Sequence, residues 1–97
     1  MGMSFPHLKA KLEQAPALYS TDGQKDKKVV ATIMLKNFWE YEVFEADTLD
    51  KGSDDEDILM FCNVHGVETE LGYVSFNEIE PFILCWSEPS AHFTHAY

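Results

Sequence analysis

Arginine is absent from this chain, and lysine is scarce after residue 36. Residues 1–36 carry six lysines against three acids and residues 37–97 one lysine against 14 acids, which gives +3 and −13 for the two stretches. A protein that grips phosphates uses arginine forks and a basic stripe, so direct nucleic-acid binding is not expected. Long apolar runs are also missing. Ile58–Cys62 is typical of those present, far short of the ~20 residues that span a bilayer, so no membrane crossing is expected. The amino terminus lacks a charged-then-apolar leader, and Pro6 stands where myristoylation needs Ser or Thr, which makes the cytoplasm the expected compartment. Cys62 and Cys85 both sit amid strand-like apolar residues and are expected to be buried free thiols; a disulfide between them is open in geometry but has no secretion signal behind it. There is no Gly-x-Ser-x-Gly elbow, no glycine-rich phosphate loop and no ligand-spaced cysteine pair.

What is present is a composition of 45% apolar and 13% aromatic residues, too rich for a disordered chain, in a length of 97 residues that supports one core. We therefore expect a single domain over residues 1–97, with Met1-Gly2 a cloning remnant and residues 87–97 a flexible tail or an extended edge. No cofactor is expected.

Local patterning gives an α+β fold. Ser4 suits a helix cap and Pro6 a first turn, and Phe5, Leu8 and Leu12 share one helical face up to Pro16. "STDGQKDKK" (20–28) is turn chemistry. "VVATIML" (29–35) has strand length and branched residues, and Lys36-Asn37 suits a tight connection to "FWEYEVFE" (38–45), where Trp39, Tyr41 and Val43 alternate with Glu40 and Glu42. After an acidic loop (47–57), "ILMFCNV" (58–64) reads as a largely buried strand. His65-Gly66 turns it back into "VETELGYVSF" (67–76). Ser75 and Glu78 have capping-box spacing, so a short helix follows that strand and stops at Pro81. The expectation is an amino-terminal helix, an antiparallel sheet of about four strands and this second helix, with "ILCW" (83–86) as a fifth strand at an edge. In that sheet Glu40, Glu42, Glu68 and Glu70 line one wet side, and Trp39, Tyr41, Leu71 and Tyr73 the dry one.

Three blocks, "ALYSTDGQKD" (17–26), "FWEYEVFEAD" (38–47) and "VHGVETELGYVSFNEIE" (64–80), resemble in order and spacing a small bacterial, plasmid and phage family known as a domain of unknown function. The matching positions are Leu18, Tyr19, Ser20, Trp39, Tyr41, Glu45, Gly66, Glu68, Glu70, Leu71, Gly72, Tyr73, Ser75 and Glu78. The stretch before Gly66 and the ending "AHFTHAY" depart from the family pattern. The resemblance brings no established activity; it implies the company of mobile genetic elements.

Candidate chemistry is sparse. His92 and His95 are three apart and form a weak metal candidate, but zinc needs three or four ligands, and His7 and His65 lie on other segments. Glu40 with Glu42, and Glu68 with Glu70, sit about 7 Å apart along a strand, a spacing that suits acid–base work, yet catalytic carboxylates face each other across a cleft. Ser20, Thr21 and Asp22 before Gly23 read as turn residues rather than a nucleophile. "DDED" (54–57) lacks the pattern of a calcium loop. The expected activity is therefore non-enzymatic binding, as a monomer or weak homodimer, to another protein with a basic surface. Glu40, Glu42, Glu68 and Glu70 supply the charge, and Trp86 and Phe93 the exposed anchors. The alternatives are a nucleic-acid mimic that inhibits a host defence protein, and a small carboxylate- or metal-dependent hydrolase.

Overall fold

A computed structural model describes residues 5–23, 26–88 and the backbone of 93–95. Ser4, His92 and the side chains of Phe93 and His95, singled out above, lie outside the described residues. Helix α1 (Pro6–Glu13) starts after Phe5 without a side-chain cap, uses Pro6 in its first turn and buries Leu8 and Leu12. The strands follow as β1 (Asp26–Lys28), β2 (Ala31–Leu35), β3 (Glu40–Leu49), β4 (Asp57–His65) and β5 (Thr69–Ser75). Helix α2 (Phe76–Ile79) and a 3-10 turn (Glu80–Phe82) lead to β6 (Ile83–Ser87) and β7 (Phe93–His95).

The fold is α+β, as its sequence patterning predicts. Five strands form one antiparallel sheet in the order β5-β4-β3-β2-β6, and β1 pairs with β7 in a separate two-stranded ribbon. The sequence reading left residues 87–97 as a tail or an extended edge, and it took 20–28 for turn chemistry, so the partner strand β1 was not expected. No helix among the described residues is long and apolar enough to cross a membrane.

One side of the sheet carries the main core. Ala31, Ile33, Leu35, Tyr41, Val43, Met60, Cys62 and Val64 cluster there with Leu8 and Leu12 of α1 and with Phe76, Ile79 and Ile83. The chain leaves β5 at one edge, buries Phe76 and Ile79 in this core, and re-enters the sheet as β6 at the opposite edge. The corner where it departs is pinned by Asp57. Its Oδ1 accepts the backbone N–H groups of Ile58 at 2.7 Å and Asn77 at 2.9 Å, and its Oδ2 accepts the Ser75 hydroxyl. Ser75 in turn accepts the Glu78 N–H at 3.4 Å, the predicted cap of α2.

A bulge in β3 decides what the other side of the sheet holds. Val43 lies opposite Cys62 and Glu45 opposite Phe61, so Phe44 is an extra residue in the ladder. Unbroken alternation after Tyr41 and Val43 would send residue 45 into the main core. The inserted residue turns Glu45 to the side shared with Phe61 and Tyr73 instead. A second, aromatic cluster forms there: Phe44 to Phe61 at 6.3 Å between centroids, Phe61 to Tyr73 at 5.1 Å and Tyr73 to Tyr19 at 5.9 Å.

The pairing register corrects the expected sides of the sheet. Glu42 lies opposite Asn63, which lies opposite Leu71; Tyr41 lies opposite Val64, which lies opposite Glu70. Leu71 thus shares a side with Glu42, and Glu70 shares one with buried Tyr41. Alternation establishes which residues of one strand share a side; it does not say which side is covered, and β5 is an edge strand covered fully on neither. The tryptophans also exchange their expected places. Trp86, opposite Ile33, packs half-buried against the core, while Trp39 is 37% exposed in the β2–β3 turn. Cys62 is buried as expected, but Cys85 is exposed, and both are free thiols.

Burial pushes the Asp57 carboxyl up, but the Ser75 hydroxyl and the Asn77 and Ile58 N–H groups outweigh it and hold it below its ordinary value. With the folded value below the unfolded one of about 3.9, these contacts add stability above that pH, and the gain is lost as the pH falls through the folded value. Asp57→Asn is therefore expected to lower the urea midpoint clearly at about pH 6, with the gap to the parent protein closing towards about pH 3.

Candidate functional site

Both tight hairpins of the sheet turn at the same end. The β2–β3 turn is held by the Phe38 N–H donating to the Leu35 carbonyl at 2.8 Å and the Leu35 N–H donating to the Trp39 carbonyl at 2.9 Å. Asn37 Oδ1 accepts the Trp39 N–H at 3.0 Å, and Phe38 takes a φ of 69°, a conformation rare for a bulky residue. The strained turn throws the Phe38 ring outward, 74% exposed. Beside it the Trp39 ring lies over Gly66 of the β4–β5 turn, where an added Cβ would meet the ring at 2.7 Å. A side chain at position 66 would displace the indole. On the far flank, the Lys36 N–H donates to the Phe82 carbonyl at 2.8 Å, which brings the 3-10 turn into the same end.

The result is an apolar end built from three separate segments. Val67, 91% exposed, follows Gly66 in the β4–β5 turn, and Phe82, 58% exposed, lines a shallow, mainly apolar groove with Leu35, Lys36 and Asn37. Exposed apolar residues gathered in one place are more informative than the same residues scattered singly. The sequence reading missed Phe38, Val67 and Phe82. A single apolar residue in a turn carries no signal until the fold collects several.

The candidate glutamates border this end in different ways. Glu40, half-buried, lies opposite His65, which lies opposite Thr69. Glu42 is mostly buried: its Oε1 contacts His65 Nε2 at 2.6 Å and accepts from Asn63 Nδ2 at 3.4 Å. The other imidazole nitrogen, Nδ1, is 3.1 Å from the Thr69 hydroxyl. Glu68, just before β5, and Glu70, within it, are exposed. The four therefore do not form a single row: Glu42 belongs to an internal polar ladder, whereas Glu68 and Glu70 face water. Of the expected anchors, Trp86 lies on the core side of the opposite edge, away from these acids.

The lysines of α1 are engaged by acids of the same chain. Lys9 approaches Glu80 at 3.7 Å and Lys11 pairs with Glu88 at 2.5 Å, so the basic amino-terminal part is folded against the acidic remainder.

On the sheet side opposite the helices, Glu45 organises a second polar constellation. The residue is only 1% exposed, and its carboxylate accepts the Tyr19 N–H at 2.8 Å, the Thr21 N–H at 3.0 Å and the Thr21 hydroxyl. Buried Lys27 donates to the Thr21 carbonyl at 2.5 Å and to its Oγ1 at 2.9 Å, and its Nζ stands 6.0 Å from the Phe61 ring centroid. The loop runs on beside β3, with the Leu18 N–H donating to Asp47 at 3.3 Å and the Ala46 N–H to the Pro16 carbonyl at 3.0 Å. A side-chain hydrogen bond with Tyr19, then burial and the negative charges of Asp22 and Glu45, hold the Tyr73 hydroxyl above its ordinary value. Tyr19, Glu45 and Tyr73 come one from each of the three blocks that carry the family resemblance.

Among the described residues, no three His, Cys, Asp or Glu side chains converge as a metal site. Comparison with models of protein families, with curated proteins and with solved structures finds no match.

Replacing Glu45 with glutamine keeps the shape but removes one acceptor and turns an amide towards donors. Each buried donor left without a partner costs about 1–3 kcal/mol. Glu45→Gln is expected to lower unfolding free energy by on the order of that amount in a urea titration, and to speed amide exchange at Tyr19 and Thr21. Glu68→Gln is expected to change stability by less than about 0.5 kcal/mol.

Proposed function

We propose that this chain is a small acidic, non-enzymatic module that binds another protein through a basic surface, in the service of a mobile genetic element. The link to a mobile element rests on the sequence resemblance alone. The observation that carries the binding reading is the apolar end of the sheet, where Phe38, Val67 and Phe82 stand in water, with Glu68 following Val67 and Glu40 two residues past Phe38. A net charge of −10, with the α1 lysines occupied within the chain, attracts a basic surface over a distance and speeds encounter. Burial of a few aromatic and aliphatic side chains then supplies most of the affinity. The distribution of the glutamates favours this local, apolar-centred contact over mimicry of nucleic acid, because Glu42 and Glu70 lie on opposite sides of the sheet and give no continuous phosphate-like row.

The test is affinity capture from a bacterial host extract with the parent protein, a Phe38→Ser/Val67→Ser variant and a Glu40→Gln/Glu68→Gln variant. A specific partner is expected with the parent protein at low salt and is expected to be held more weakly at about 1 M salt, where the Debye length is about 3 Å. The apolar variant is expected to lose it at any salt and the charge variant to retain it weakly. Recovery of nothing at low salt, or equal capture by both variants, overturns the reading.

A further inference from the structure

The strand order ends on one side at β5, whose outer backbone groups pair with no described strand. Its register with β4 is unbroken over seven pairs, from Leu59 opposite Ser75 to His65 opposite Thr69. A regular, unpaired edge of this length is a template for a further strand. The other edge differs: β6 meets β2 with a register shift between Met34 and Leu35, an irregularity that discourages regular strand addition.

The side chains of β5 sort into two chemistries. Leu71 and Tyr73 lie opposite Asn63 and Phe61 on the side away from the helices; Leu71 is half-buried and Tyr73 is 49% exposed. Glu70 lies opposite Val64 on the other side and is exposed, and Glu68 stands exposed just before the strand begins. Gly72, between Leu71 and Tyr73, has nothing within 4 Å of where a Cβ would stand, so no neighbour crowds the edge there.

We infer that β5 is a docking edge for an extended segment of a basic partner in which basic and apolar residues alternate. In such a segment the apolar side chains lie against Leu71 and Tyr73 and the cationic ones meet Glu70 and Glu68. Backbone hydrogen bonds along β5 supply affinity, and the alternation supplies specificity and register. A second copy of this chain is the wrong occupant, since it brings its own Glu68, Glu70 and −10 net charge to the contact. The inference rests on the charge-led binding reading and adds the partner's conformation and pattern.

The test titrates the isotopically labelled full chain with three synthetic peptides. One alternates lysine and valine over seven residues, one has the same composition with the lysines in a block, and one is the alternating peptide N-methylated throughout. The methylated peptide keeps charge and side chains but donates no backbone hydrogen bond. The alternating peptide is expected to bind at least tenfold more tightly than the other two, with shifted and exchange-protected amides concentrated in Thr69–Ser75. Glu70→Lys is expected to weaken it at least tenfold while leaving thermal unfolding unchanged. Equal, salt-sensitive binding of all three peptides overturns strand addition and leaves charge-led binding standing. Amide shifts confined to β6, or no binding of the alternating peptide at low salt, also overturn the inference, while the capture experiment above separately decides the broader reading.

Discussion

The Glu45 carboxylate is the constraint around which this small sheet is arranged. A buried carboxylate is tolerated only when its lone pairs are occupied, and here the backbone and hydroxyl of Thr21 and the backbone of Tyr19 occupy them. The bulge at Phe44 puts it where those donors can reach. Once it is turned, the stretch from Pro16 to Thr21 must run alongside β3, Lys27 must come in to satisfy Thr21, and Tyr19 must lie against Tyr73. One extra residue in one strand thus gives the sheet a second cluster on the side that α1 and α2 leave bare. The left-handed backbone at Tyr19 is part of the same arrangement.

Much of the fold was legible from local chemistry. Branched residues and alternation located the sheet strands, and Ser75 with Glu78 located the helix corner. What sequence alone does not carry is the bulge, because Val43-Phe44-Glu45-Ala46 reads as an ordinary mixed stretch and only its pairing partner reveals the surplus residue. The shared wet side failed for a related reason. Period-two patterning relates residues within one strand, whereas the relation between Glu42 and Glu70 depends on two successive registers and on β5 lying at an edge. The tryptophans mislead in the same way. Trp39, which with Tyr41 and Val43 alternates with Glu40 and Glu42, has the pattern of a core residue but sits in a turn, and Trp86, next to exposed Cys85, is held down by Ile33 and the core beneath it.

The candidate site was legible only in its charge. Glu40, Glu68 and Glu70 were identifiable from composition and spacing, but the apolar end depends on three turns meeting, and no window of sequence contains Phe38, Val67 and Phe82 together. The charge asymmetry along the chain likewise acquires meaning only on folding, when Glu80 and Glu88 return to α1 and take up Lys9 and Lys11.

The two thiols, alike in sequence surroundings, end in opposite environments. Cys62 sits sealed in the core, and burial pushes its thiol far up, which suppresses the reactive thiolate; Cys85 lies open on β6. A thiol-selective alkylating reagent therefore meets one thiol in the intact molecule and two only after the sheet opens. The protein carries its own gauge of opening: a count of modified sulfurs reads out the integrity of the interior without any added label.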